Sequence, residues 1–318
     1  MLARLSIIFS LFLSVHAHSA EIAAYPDPGS WRAVFDQQET IESQIDFSVE
    51  NASLEADRQI QTVYLRAVDR LGLDLARLDP NELEALFDAT WMAGNRVPMT
   101  GPVVATELDY HQVLTEVFSE LKARGVTTAE QARSLQHSAI ANRRFDQARN
   151  LANAFPDSGL ETIPTTRVPD KDEVQRPRVW RFDSESEELV QRGIDPEGLD
   201  WIIQASPGCG FARAAMQAFH SDPELRPLLN ARLIWLLPPG WTLDLESQRR
   251  WNEAHPDSPM LLMHDGEEWP FLADLALSPQ FVRLRDGQVV ETIVGWPLDN
   301  SHKPLLLALA EGEDQPDT

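Results

Sequence analysis

The feature that most constrains this chain is a change of texture near residue 177. Before it, apolar residues recur every three or four positions over long stretches. After it come short apolar runs separated by stretches with a helical period. The first pattern builds amphipathic helices, and the second builds strands alternating with helices. The expected fold is therefore an α/β C-terminal domain preceded by an all-α helical domain, and 318 residues suffice for both.

In the first region, Leu54, Ile60, Val63, Tyr64, Val68 and Leu71 trace one helix from about Ala52. Asp79-Pro80-Asn81-Glu82 starts a second, with proline at its first position, ending near Gly94. Leu108 to Leu121 carry a third, which ends near Gly125. Thr127-Thr128-Ala129-Glu130 reads as a capping-box start for a fourth, and Arg144 to Ala154 form a fifth. Residues 21–50 read as an irregular lead-in with Pro26, Pro28 and Gly29 as breakers. The Arg143–Pro156 stretch resembles the second helix of a tetratricopeptide-like repeat. No self-similarity appears at the ~34-residue period such repeats need, so a plain helical bundle is the simpler expectation. Residues 156–177, rich in Pro, Thr and Asp and carrying Lys171, read as a linker.

From residue 178 the expected elements are a strand at Arg178–Phe182, a buried strand at Leu199–Ala205 and a helix carrying Ala212, Ala215, Met216 and Phe219. Strands at Leu233–Leu237 and Met260–Met263 follow, with a helix from Glu246 to His255 between them and a short one from Glu268 to Leu277 after them. A hairpin then turns at Asp286-Gly287, between Phe281–Arg285 and Val289–Val294, and a last helix covers about Leu305–Leu309. The chain's domain would end near residue 312, before an acidic tail at 313–318. Trp180, Trp201 and Trp235 sit on strands as core residues, while Trp269 and Trp296 are candidates to flank a groove.

Three pieces of this order resemble the thioredoxin superfamily. They are a strand leading through Ala205-Ser206-Pro207-Gly208-Cys209-Gly210-Phe211-Ala212-Arg213 into a helix, Pro279 immediately before a strand, and the hairpin closed by Val294-Gly295. The added helix and apolar run before Pro279 are similar to the TlpA-like exported branch. The resemblance covers residues 178–312. It implies a cis Pro279 facing Cys209 and a binding edge at Ser278, with Gly208 and Gly210 leaving the sulfur accessible. Independently of the family, a cysteine at a helix N-terminus lies at the positive end of the dipole, beside unpaired N–H groups, and both favour a thiolate.

The departures matter as much. Ala212 stands where the second cysteine of a CxxC pair would be, and Cys209 is the only cysteine in the chain. A dithiol cycle needs that second thiol to release a trapped mixed disulfide. Gly208 replaces the usual preceding tryptophan, and Ile202 and Ile203 occupy a strand that in some members carries a buried acid. Three fates stay open for Cys209: a monothiol working with an external thiol, a relic in a fold kept for binding, or a small packing residue.

The remaining signals set limits. Arg4, the apolar run Leu5–Leu13 and small residues at Ala17, Ser19 and Ala20 read as a secretory signal over residues 1–20, which places the protein in the periplasm or otherwise outside the cytoplasm. No later segment reaches the ~18 apolar residues of a membrane helix. A net charge of −23 with only Lys122, Lys171 and Lys303 as lysines argues against nucleic acid, whose binding rests on phosphate neutralisation. Protein or thiol partners are the expected class. His220, His255 and His264, with Asp222, Asp257 and Asp265 nearby, match no metal spacing, and no cofactor motif is present. Asp183, Glu185, Glu187 and Glu188 read as a solvated charge run. The two functional readings are a monothiol forming mixed disulfides through Cys209, and a non-catalytic binding or scaffold factor of an envelope, conjugation or secretion assembly.

Overall fold

The computed structural model describes residues 28–46, 52–96, 108–169, 177–183, 185–206, 208–229, 232–240, 245–256, 258–270, 272, 278–297, 299 and 301–311. The expected signal segment, the acidic tail, residues 170–176 of the expected linker, Pro207 and the end of the short helix expected at Glu268–Leu277 lie outside these residues.

Among the described residues, six helices build the N-terminal region: α1 (Trp31–Ser43), α2 (Ala52–Leu71), α3 (Pro80–Gly94), α4 (Tyr110–Ala123), α5 (Ala129–Ala141) and α6 (Phe145–Ala154). Helix α1 corrects the irregular lead-in expected for residues 21–50. Ser30 caps it through its Oγ, and Trp31, Val34, Gln38 and Ile41 point inward at helical spacing. Its apolar stripe is short and interrupted by charge, so tertiary contacts stabilise it. Gln38 donates to the carbonyls of Ile60 and Ala89, and Glu82 accepts from the Trp31 amide at 2.6 Å. The capping box on α5 also sits one residue later than expected, because Thr128 and Gln131 bond reciprocally.

The C-terminal region is an eight-stranded mixed sheet of β1 (Thr165–Arg167), β2 (Arg178–Asp183), β3 (Glu188–Gly193), β4 (Trp201–Gln204), β5 (Leu233–Leu237), β6 (Met260–Met263), β7 (Gln280–Arg285) and β8 (Gln288–Val294). Their order is β1-β3-β2-β6-β5-β4-β7-β8. Helix α7 (Gly210–Ser221) links parallel strands β4 and β5, and the short α8 (Arg226–Leu229) follows it. Helix α9 (Leu245–Ala254) links β5 to β6, again parallel. The β7–β8 hairpin adds antiparallel to β4 from the other side, and α10 (Lys303–Glu311) ends the fold. A parallel strand–helix–strand centre, an antiparallel hairpin on its flank and a closing helix make this region thioredoxin-like.

One expectation changes here: the segment read as a linker contributes β1, which pairs with β3. The charge run keeps its solvated face, with Glu185 and Glu187 exposed, and it turns β2 into its hairpin partner β3. In it Glu188 and Asp183 meet Arg167 at 3.0 and 3.9 Å. Both strands were hard to see because β1 is a three-residue edge strand and β3 mixes Leu189 and Val190 with Glu188, Gln191 and Arg192, so neither has a continuous apolar run.

Period-two alternation divides the sheet between two cores. Trp201, Ile203, Trp235, Leu237, Met260, Leu262 and Phe281 face α7 and its neighbours. Ile202, Leu236, Leu261, Met263, Val282 and Leu284 face the opposite layer with Trp269 and Leu272. Trp269 and Trp296 are each 1% exposed. Trp296 packs against Phe219 and Phe281, so neither tryptophan lines a groove.

The helical region is fused to the sheet. Ala139, Ile140, Phe145 and Ala148 belong to the sheet's own core, with the Phe145 ring edge-on to Trp180 at 5.3 Å. Arg143 reaches across the junction. Its guanidinium donates to the carbonyls of Met263, Leu237 and Pro238, at the C-terminal ends of β6 and β5. Glu161 Oε1 in turn accepts from the Leu245 amide at 2.7 Å, capping α9.

Candidate functional site

Strand β4 is buried at all four positions and delivers the chain to Ser206 at the carboxyl end of the parallel strands. Ser206 organises the turn. Its carbonyl accepts from the Cys209 amide at 2.9 Å, and its Oγ accepts from the Gly208 amide at 3.3 Å. Its own amide donates to Ser278 Oγ at 3.2 Å, tying the turn to the segment that enters β7. Cys209 is the N-cap residue of α7, with extended backbone at φ −76° and ψ 123°. Its carbonyl accepts from the Arg213 amide, so the helix begins beneath the sulfur.

The Ser278–Pro279 peptide is cis, and it brings the Ser278 carbonyl to 3.5 Å from Cys209 Sγ, where the thiol donates to it. Cys209 and the Ser278–Pro279 segment, separated by some seventy residues in the chain, are thus brought together. Cys209 is half-buried and is a free cysteine. Gly208 and Gly210 are exposed beside it, and neither lies in the left-handed region. A Cβ on Gly208 would meet only Ser206 Oγ at 3.5 Å, and one on Gly210 only Arg213 Nη2 at 3.9 Å. These glycines leave open space around the sulfur; no strained turn demands them.

Ala212, one helical turn on, is fully buried in the sheet's core cluster. A thiol placed there would enter from the core side of the helix. Ile203, in the core and away from solvent, offers no acid beneath the site.

Four residues around the site carried little signal in the sequence. Arg213 Nη1 donates to the Gly208 carbonyl at 2.9 Å, setting a cation over the turn. Phe211 is 52% exposed, an apolar surface two residues from the sulfur; only its place on the solvent side of an amphipathic helix could have exposed it. Gln204 and Gln280, paired across β4 and β7, are buried amides under the site.

The histidines are not drawn to Cys209 as a cluster. His220 and His255 stack at 4.2 Å at the far end of α7. Burial, then the His220 ring, lower the His255 pKa. His264 Nδ1 accepts from Trp180 Nε1 at 3.0 Å, and burial lowers its pKa too. Among the described residues no group of three or more histidine, cysteine or acidic side chains is placed to hold a metal ion. No described helix is long and apolar enough to cross a membrane.

No protein-family model matches the chain, and no curated protein matches it. One solved structure, a thioredoxin-like protein from Bacteroides caccae ATCC 43185, is 12% identical over 90% of this chain and 95% of its own, with a TM-score of 0.29. The fold assignment stands on strand order and on the turn–proline juxtaposition.

Proposed function

We propose that this is an exported thioredoxin-like monothiol protein that forms mixed disulfides through Cys209. The observation that carries the reading is the seating of Cys209 at the start of α7, half-buried, against the Ser278–Pro279 segment, with open space over Gly208 and Gly210. Export is supported by the apolar run Leu5–Leu13 behind Arg4.

The chemistry is thiol–disulfide exchange. Cys209 gives its proton to solvent, and the thiolate attacks one sulfur of a partner disulfide. A new S–S bond forms, the old one breaks, and the second partner sulfur leaves as a thiolate. With Ala212 in place of a resolving thiol, the adduct persists until an external thiol repeats the exchange at the new bond. Phe211 supplies an apolar contact for the partner chain, and Arg213 holds the turn by its bond to Gly208.

A second reading, a non-catalytic binding or scaffold factor of an envelope, conjugation or secretion assembly, is favoured by one observation: the thiol already has a partner inside the fold, the Ser278 carbonyl. The test is oxidised glutathione with the folded protein. An adduct on Cys209, removed by dithiothreitol and absent in Cys209→Ser, is expected. Labelling that appears only after unfolding in urea would overturn the monothiol reading and leave the scaffold reading.

A further inference from the structure

Between α1, α3 and α5 the helical region opens a groove of about 390 Å³. Its lining includes the aromatic residues Phe35, Phe87 and Trp91 and the acids Glu84, Asp88 and Glu130. Glu84 and Asp88 are one turn apart on α3, a like-charge spacing that costs helix stability. Glu130 comes from α5. None of the three forms an ion pair among the described residues, whereas Arg96 on the same wall is already engaged with Glu42 and Asp57. Arg32 lies over the Phe35 ring at 5.8 Å. Three acids are therefore gathered beside aromatic rings, and among the described residues only the pull of Arg32 on Asp88 offsets their repulsion.

We propose that this groove docks a basic segment of a partner protein, with an arginine or lysine head between Glu84, Asp88 and Glu130 and its aliphatic stem on Phe35 and Trp91. Charge complementarity selects this occupant. Aromatic faces bind cations, and long basic side chains lay their stems on apolar surface while the head reaches carboxylates. Burial and the Glu84 carboxylate push Asp88 up to about 6, against the opposing pull of Arg32, with Glu130 and Glu39 adding to the rise. A bound cation would reverse that shift, so binding weakens as Asp88 takes up a proton. The groove does not involve Cys209, and the two proposals fail separately.

The test uses the whole mature protein and two labelled peptides, one alternating arginine with leucine and one alternating glutamate with leucine. Fluorescence anisotropy is read near neutral pH at about 0.1 M salt, where long-range attraction is screened. Glu84→Gln/Asp88→Asn/Glu130→Gln is compared with Glu253→Gln/Glu267→Gln/Glu291→Gln, which removes three charges from exposed positions elsewhere. The expected result is binding of the basic peptide only, weakened about 10-fold or more by the groove variant and within about twofold by the control, as for a local charge contact. Affinity should also fall several-fold at pH about 5. Thermal melting shows that both variants fold. The proposal is overturned if the basic peptide does not bind, if the control variant loses as much affinity, or if the acidic peptide binds equally. It is overturned as well if light scattering shows self-association that the groove variant abolishes, since the occupant would then be a second copy.

Discussion

Arg143 Nη2 stands 2.7 Å from the carbonyl oxygen of Pro238, ninety-five residues away and just past the end of β5. Arg143 is 6% exposed, and among the described residues no carboxylate pairs with it; carbonyls from α5, β5 and β6 surround it instead. Burial lowers its pKa to about 9, so it stays charged at neutral pH. Its backbone lies in the left-handed region at φ 58°, the bend that turns α5 into α6. One side chain thus fastens the helical region to the carboxyl ends of two strands.

Arg143→Met should therefore cost about 3–5 kcal/mol, because buried carbonyls lose their donors. Arg144→Met, which removes only an exposed pair with Asp109, should cost about 1 kcal/mol or less. Urea unfolding followed by tryptophan fluorescence distinguishes them. Equal costs would show that the junction does not depend on the buried guanidinium.

Ala212→Cys should convert the protein from a monothiol into a self-releasing dithiol. Position 212 is 0% exposed and one turn from Cys209, so the added sulfur costs about 1–3 kcal/mol of overpacking. Mixed disulfides on Cys209 should then disappear without added thiol, and insulin disulfide reduction should become measurable. An adduct as long-lived as that of the parent protein would show that the two positions cannot meet.

Asp88 has a folded-state pKa raised to about 6 from the ordinary 3.8, so the folded protein holds its proton more tightly than the unfolded chain. Stability from this group therefore rises as pH falls from above 6 toward 3.8. Asp88→Asn should raise the melting temperature near pH 7.5, and the gain should vanish near pH 4. A variant that melts lower near neutral pH would contradict the unpaired-acid description.

His111 behaves in the opposite sense. It is buried between Ser138 Oγ and Gln147 Oε1, each at 2.9 Å, and Nε2–H donates to the glutamine oxygen in the neutral tautomer. Burial holds its pKa below the ordinary 6.5. The unfolded chain thus binds the proton first on acidification, and stability present above pH about 6.5 is lost below it. Melting curves between pH 8 and 5 should show a shallower acid loss in His111→Gln than in the parent. Identical slopes would assign the loss to other groups.

Much of the architecture was legible before any coordinates. Leu233–Leu237 and Met260–Met263 form strands at the expected residues, because four or five contiguous apolar residues between polar turns have few alternatives to a buried strand. Asp79-Pro80 starts α3 as expected, since a capping side chain and a fixed φ act locally. Helix α1 and strands β1 and β3 were not legible. Gln38 reaching Ile60 and Ala89, and Thr165–Arg167 lying beside β3, are contacts between distant residues that leave almost no local pattern.

The site divides along the same line. Local sequence determined that one cysteine would head an amphipathic helix after a buried strand, and that Ala212 would deny it a partner. Only the tertiary structure decided what the sulfur touches. The Ser278 carbonyl arrives from a segment seventy residues on, held by the pairing of β4 with β7 and by the Ser206–Ser278 bond. It likewise decided that Trp269 and Trp296 are core, and that Glu84, Asp88 and Glu130 share one groove. The physical reason is range: caps, turns and apolar periods act over a few residues, while burial, pairing register and unbalanced charge depend on which surfaces the fold brings together.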